Sequence, residues 1–218
     1  MKLLLAAATE LEIKTALSWL DEEKYPDVDV LVTGVGMMAS AWQLGRYFAR
    51  NKPALAIQAG IAGSFRRSWP LGETVLVTHE TLGDLGADDN GRFLDLFDLG
   101  FQEPGAPPFT NKELVNTLSL FPESLQSLPQ ATGVTVNTVS GSAAAVARLQ
   151  EQYAPDVESM EGAAFHYACL QEQVPFLQLR SISNYVEPRD KSKWNISLAL
   201  QNLNNTLLSL LEELRQKE

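Results

Sequence analysis

The chain has little of what several protein classes depend on. Cysteine occurs once, at Cys169, so no disulfide can form within the chain. Cys169 falls in an apolar, helix-like stretch, where a cysteine is read as a buried inert thiol rather than a nucleophile. Histidine occurs twice, at His79 and His166, and neither makes a metal-ligand spacing with the cysteine; no metal is implied. Positive charge is in deficit. Against 27 acidic residues stand 17 basic ones, a formal charge of −10, which argues against nucleic acid and anionic membranes as partners. Long apolar runs are missing too. Leu3 to Ala8 opens like a secretory leader, but Thr9-Glu10-Leu11-Glu12 interrupts it before the roughly 7–15 apolar residues that such a leader needs. No run reaches the roughly 18 residues of a membrane span, and a cytoplasmic location is expected. No repeat, linker or low-complexity segment is present.

The 218 residues suffice for one sizeable core, so one domain spanning 1–218 is expected. Leu3–Ala8 reads as a strand buried on both faces, as in a parallel sheet. Thr9 and Glu12 then match a capping box, ahead of apolar residues at helical spacing to Leu20. Glu12 has two readings of equal standing: a cap, or a carboxylate projecting from a strand end into a crevice. Val28–Thr33 is a second strand. It closes on Gly34-Val35-Gly36, which lacks the third glycine of a dinucleotide fingerprint and reads as a tight turn. Met37–Arg50 is a crossover helix. Ala54–Gln58 is a third strand, followed by a small-residue turn from Ala59 to Ser64. Gly72–Leu82 is a β-branched return strand of a mixed sheet. From Gly83 to about Thr110 the sequence reads as an irregular, glycine- and proline-rich segment, either covering a substrate or packing at a subunit interface. A second capping-box pattern, Thr110-Asn111-Lys112-Glu113, predicts a helix to about Leu120. Gly133–Val139 is a strand, Ser140-Gly141-Ser142 a turn, and an alanine-rich helix runs to Gln150. The last helix, Trp194 to about Arg215, carries leucine at most of its inward-spaced positions.

The stretch that organises the rest lies between these elements. Asp156–Met160 reads as a short strand running into a helix at Glu161, where Gly162, Ala163, Ala164 and Ala168 allow close approach to a sheet. Pro175 restarts an apolar strand, Phe176–Ile182, ending at Ser183-Asn184. This βαβ unit puts polar groups at the C-terminal ends of both strands, where open α/β sheets bind ligands. Glu161 there either stabilises a helix N-terminus or reaches a ligand. Asn184 is either a turn residue or a recognition group.

Ser159-Met160-Glu161-Gly162-Ala163-Ala164 resembles the ribose-binding motif of the nucleoside phosphorylase/nucleosidase superfamily, and Arg180-Ser181-Ile182-Ser183-Asn184 resembles its base-recognition strand. Within it, Ser183 to Asp190 with Trp194 is most similar to the futalosine hydrolases, nucleosidases of menaquinone synthesis. The resemblance implies a three-layer α/β/α fold with a central mixed, twisted sheet, a small-molecule nucleoside substrate, a homo-oligomer, and no cofactor. The segment containing Ile61, Ala62 and Gly63 resembles the loop beside the sugar. Ser140 falls in the loop that leads to the base pocket, where relatives carry a stacking phenylalanine. The matching position here is Ala144, which leaves Phe165 or Tyr185 as stacking partners.

Cleavage of a purine N-glycosidic bond requires a stabilised oxocarbenium-like sugar, a neutralised leaving base and a nucleophile. The resemblance assigns Glu161 and Met160 to the ribose and Glu12 to activation of water. A phosphorylase needs a dianion site, whereas the loop after the first strand offers two carboxylates and no arginine. Arg66 and Arg67 are read as facing solvent. Where 6-aminopurine nucleosidases carry aspartate, this chain has Asn184. Its amide donates to a 6-oxo group and accepts from a protonated N7, which fits hypoxanthine or guanine better than adenine; a 6-oxopurine nucleoside is expected, and the resemblance implies that the base released is hypoxanthine. The alternatives are methylthioadenosine/S-adenosylhomocysteine hydrolysis, inosine-type phosphorolysis, and a nucleoside-binding protein without catalysis.

Overall fold

The computed structural model describes residues 1–23 and 25–217. Ten strands occur among the described residues: β1 (Leu3–Ala7), β2 (Val28–Val32), β3 (Leu55–Ser64), β4 (Thr74–Leu82), β5 (Gly86–Asp89), β6 (Arg92–Asp95), β7 (Leu114–Val115), β8 (Gln130–Thr135), β9 (Val157–Ser159) and β10 (Phe176–Tyr185). The α-helices are α1 (Lys14–Glu22), α2 (Met37–Phe48), α3 (Ala143–Tyr153), α4 (Gly162–Gln171) and α5 (Ile196–Gln216).

The central sheet is mixed, as expected. β1 pairs in parallel with β2 and β3, and β10 runs parallel to β3 but antiparallel to β4. β4 and β8 are parallel, as are β8 and β9, and β9 returns antiparallel to the end of β3. The pairings β3–β10–β4–β8–β9–β3 therefore close a ring, with β1 and β2 as an open wing. β1 shows how the layers form. Leu3, Leu5 and Ala7 pack with Leu203, Leu207, Leu210 and Leu211 of α5, while Leu4 and Ala6 pack with Leu44 and Phe48 of α2 and Phe165 and Cys169 of α4. Successive strand residues point to opposite faces, so a strand apolar at every position requires helices on both sides. The same alternation in β10 sends Leu177 and Leu179 toward α5. Gln178 and Arg180 point the other way, where both are buried.

The structure corrects five of the sequence expectations. Ala59 to Ser64 is no turn but the second half of β3, held by β10 on one side and finally by β9 on the other. Residues 83–110 are not irregular throughout, since β5 and β6 form an antiparallel hairpin. The capping-box pattern at Thr110 does not start a helix. Asn111 and Lys112 have φ of 50° and 73°, in the left-handed region that ends helical progression, and the chain goes on to pair β7 with β4. The strand expected over 133–139 is displaced to Gln130–Thr135. The first helix also begins differently, as a single 3₁₀ turn over Glu10–Ile13 before α1. No helix among the described residues is long and apolar enough to cross a membrane.

Candidate active site

A cavity of about 430 Å³ opens where β1, β3, β9 and β10 end, walled also by Val139, Ser140 and the N-terminal part of α5. Its lining includes Glu12, Ile61, Ala62, Gly63, Ser140, Met160, Glu161 and Asn184, all singled out from the sequence. The first turn after β1 carries Glu12. Its Oε2 accepts from the Thr9 amide at 3.0 Å and from Thr9 Oγ1 at 3.1 Å, and its Oε1 accepts from the Ile61 amide at 3.2 Å. The two readings of Glu12 are thus compatible: it caps the turn and faces the cavity, fixed by three donors.

Glu161 directly precedes α4 and is buried. Its Oε1 accepts from the Gly36 amide at 3.0 Å, and its Oε2 lies 3.6 Å from Arg180 Nη1. Gly34 and Gly36 have φ of 81° and 94°; the tight turn they form is what aims the Gly36 N–H at the carboxylate. Arg180 was not singled out from the sequence as a site residue. It is 1% exposed, donates from Nη2 to Gln58 Oε1 at 3.1 Å and from Nη1 to Ile61 O at 3.4 Å, and packs over Gly60. A Cβ on Gly60 would lie 2.4 Å from Arg180 Nη1 and 2.9 Å from Glu12 Oε1. One buried guanidinium therefore lies beside both carboxylates. The signal for it was a lone charge inside the apolar run of β10.

Asn184 follows a bulge in β10. Its Oδ1 accepts from Ser183 Oγ at 2.8 Å and its Nδ2 donates to Tyr185 O at 3.0 Å, which leaves one N–H and one lone pair for a ligand. Of the stacking partners considered, Phe165 is excluded because it is fully buried against Phe176 in the core. Tyr185 lines the cavity, as does Val139, whereas Ala144 does not. No residue from 83 to 110 lines the cavity either. Arg66 and Arg67 are tied to Asp156 and Glu187.

Behind Glu161 lies a second carboxylate missed in the sequence, Glu80 of β4. It is wholly buried, accepting at 2.8 Å from Gln178 Nε2 and at 2.8 Å from Thr135 Oγ1, which in turn accepts from the Ala163 amide at 2.7 Å. Burial pushes its carboxyl up to about 7, against the opposing pull of these hydrogen bonds and the Arg180 charge. Gly162 and Gly133 are obligatory here, because a Cβ on either would meet Glu80 Oε1 at 1.9 or 2.5 Å. His166 is also core. Its Nδ1 lies 3.0 Å from Leu114 O, and burial lowers its pKa to about 3.

A family model described as Phosphorylase superfamily matches residues 24–214. The chain belongs to the phosphorylase superfamily. Among curated members, a futalosine hydrolase of Thermus thermophilus is 34% identical over 189 residues, covering 84% of this chain and 80% of the relative. A futalosine hydrolase of Streptomyces coelicolor is 34% identical, with coverage of 82% and 76%. A 5′-methylthioadenosine/S-adenosylhomocysteine nucleosidase of Bacillus anthracis is more distant, at 27% over 199 residues, covering 87% and 82%. Among solved structures, the Streptococcus pneumoniae MTA/SAH nucleosidase in complex with 8-aminoadenine superposes with a TM-score of 0.80 at 17% identity, covering 98% of this chain and all of that one. This superfamily member thus has the nucleoside phosphorylase/nucleosidase fold.

Proposed function

We propose that residues 1–218 form a single nucleosidase domain that hydrolyses the N-glycosidic bond of a 6-oxopurine nucleoside, with futalosine as substrate and hypoxanthine and dehypoxanthinyl futalosine as products, in menaquinone synthesis. The observation that carries this reading is the pair Glu12 and Glu161, fixed beside one buried arginine at the edge of a cavity that also holds Asn184. The identity to two futalosine hydrolases supports the choice of nucleoside.

In this reaction Glu161 accepts from the ribose hydroxyls and favours the positive charge that develops on the sugar. Met160 packs against the ring. Glu12 takes a proton from water as its oxygen bonds to the anomeric carbon. The bond from that carbon to the purine nitrogen breaks, its electron pair leaves with the base, and the base takes up a proton from solvent. Asn184 donates to the 6-oxo group and accepts from N7–H. Ile61, Ala62, Gly63 and Ser140 wall the sugar and base, and Leu11, Ile196 and Leu200 offer an apolar surface to the remainder of the nucleoside. Water rather than phosphate is the acceptor. Among the described residues the cavity is lined by Glu12, Glu158, Glu161 and Glu187 against one arginine, Arg189, and a dianion would meet net repulsion.

The protein works in the cytoplasm as a homo-oligomer. Met38 and Trp42, four residues apart on one face of α2, are 86% and 66% exposed, and the cavity residues Leu11 and Val35 are exposed as well. Such a patch fits a subunit contact. The proposal is tested by the isosteric changes Glu12→Gln and Glu161→Gln, followed as hypoxanthine release. Each is expected to lose at least 100-fold, on the order of 10²–10⁴, in turnover while still folding; Glu12→Gln should melt near wild type, whereas Glu161→Gln, which leaves the buried Arg180 without its carboxylate, should melt lower. Near-normal turnover in either variant removes that residue from the mechanism.

A further inference from the structure

Glu158 has no role in the reaction as described, yet it lines the same cavity and is only 7% exposed. Its place in the sheet is set by register. Asn184 of β10 pairs with Gly63 of β3, and Gly63 pairs with Glu158 of β9. Residues directly paired across strands send their side chains to the same face. Asn184 and Glu158 therefore stand side by side over the cavity floor, two strand spacings apart or roughly 10 Å between backbones. The position between them is a glycine, where any side chain would strike Val186 and Asn184: a Cβ there lies 2.9 Å from Val186 Cγ2 and 3.1 Å from Asn184 Nδ2. Gly63 thus adds no side chain of its own between the two polar groups, and the Val186 methyl and the Asn184 amide occupy the space that one would take.

The Glu158 side chain is also oriented. Its Oε1 accepts from the Ser140 amide at 3.0 Å and its Oε2 from Ser140 Oγ at 2.5 Å. Acceptance at both oxygens is the pattern of an ionised carboxylate, which keeps further lone pairs for another donor. Burial raises its pKa and the two Ser140 donors oppose that rise. No cation is paired with it among the described residues.

A 6-oxopurine carries its oxo group between two different neighbours: N7 on one side and N1–H, a donor, on the other. Adenine has a bare acceptor at N1. We infer that Glu158 is a specificity-determining residue that accepts the N1–H of a 6-oxopurine across Gly63 from Asn184, so that the two side chains bracket the oxo group. The inference rests on the nucleosidase reading above. It goes beyond Asn184 in supplying the second half of the discrimination: adenine at this position meets lone pair against lone pair, and a buried acceptor is left without a donor.

The test is calorimetric titration of free hypoxanthine, adenine and 1-methylhypoxanthine into the wild-type protein and into Glu158→Gln, alongside an assay of nucleoside hydrolysis. Wild type is expected to bind hypoxanthine about tenfold or more tighter than 1-methylhypoxanthine, which lacks the N1–H. In Glu158→Gln the preference for hypoxanthine over adenine is expected to fall by about tenfold or more, because the amide relieves the repulsion and can donate to adenine N1. A residue that only holds the Ser140 loop would weaken both bases alike and leave their ratio unchanged; that result overturns the inference. Equal wild-type binding of hypoxanthine and 1-methylhypoxanthine overturns it as well, even if the variant does not fold. In both cases continued hydrolysis by wild type leaves the nucleosidase reading standing, whereas absence of both base binding and hydrolysis defeats the two together.

Discussion

Replacing Gly60 with alanine adds one methyl group at the point where the site is held together. The new Cβ would lie 2.4 Å from Arg180 Nη1, 3.3 Å from its Cζ and 2.9 Å from Glu12 Oε1. An exposed arginine would swing away at little cost. Arg180 is 1% exposed and tied to Gln58, Ile61 O and Glu161, so its guanidinium has no free volume to enter. β3 cannot retreat either, because β1 and β10 flank it. Overpacking of this kind costs about 1–3 kcal/mol. Loss of the Arg180–Glu161 pairing would leave a buried charge uncompensated and add to that. At roughly 4–8 °C per kcal/mol for a small domain, and about half that at this length, a drop of several degrees in Tm is expected. Turnover should fall further than stability implies. A displacement near 1 Å of groups that orient water and sugar costs on the order of 100-fold, and both Glu12 and Glu161 border the displaced guanidinium. Thermal melts by circular dichroism and hypoxanthine release under saturating substrate measure the two effects separately. A Gly60→Ala protein with wild-type Tm and wild-type turnover would refute the argument that Arg180 and Glu12 are packed over a bare backbone.

Three further outcomes are expected. Asn184→Asp replaces an amide donor with a group that suits a 6-amino purine; the ratio of hypoxanthine to adenine nucleoside hydrolysis should fall by at least tenfold, and an unchanged ratio would remove Asn184 from base selection. Glu80 holds its proton more tightly folded than unfolded, so its contribution to stability is complete below about 4.5 and lost as pH rises through about 7; Glu80→Gln, which cannot ionise, should therefore gain on wild type across that window by about 1–3 kcal/mol in denaturant melts, and parallel stability curves would show that Glu80 does not titrate there. Trp42→Glu puts a charge on the exposed face of α2, and sedimentation should show a smaller particle than wild type if that face is a subunit contact; an unchanged mass would place the contact elsewhere.

Much of this was written in local patterns. Leu3–Ala8 is a strand because an unbroken apolar run suits a sheet covered on both faces; Val28–Thr33 is a partly exposed strand beside β1, Phe176–Ile182 a buried strand interrupted by Gln178 and Arg180, and the helices α2 and α5 follow from their spacing. Polar residues after the strands Leu3–Ala8, Asp156–Met160 and Phe176–Ile182 located Glu12, Glu161 and Asn184, which line one cavity. What stayed hidden depends on contacts distant in sequence. Thr110-Asn111-Lys112-Glu113 has the letters of a helix start, yet pairing of β7 with β4 decides the backbone there. The glycines and alanines of 59–64 read as a turn because small residues mark turns. In the fold they keep β3 slim enough for Arg180, Glu12 and Asn184 to pack over it. Arg180 and Glu80 are charges buried inside strands of the central sheet. Sequence reasoning could flag them as anomalies, but each is met from another strand: Arg180 of β10 by Gln58 of β3, and Glu80 of β4 by Gln178 of β10 and Thr135 of β8.

The central claim is hydrolysis of a 6-oxopurine nucleoside without phosphate, and one experiment addresses it directly: chromatography of the base released from futalosine, inosine and methylthioadenosine, each with and without added phosphate. The account predicts hypoxanthine from futalosine at a rate indifferent to phosphate, and no adenine from methylthioadenosine. Adenine release, or a requirement for phosphate, would contradict it.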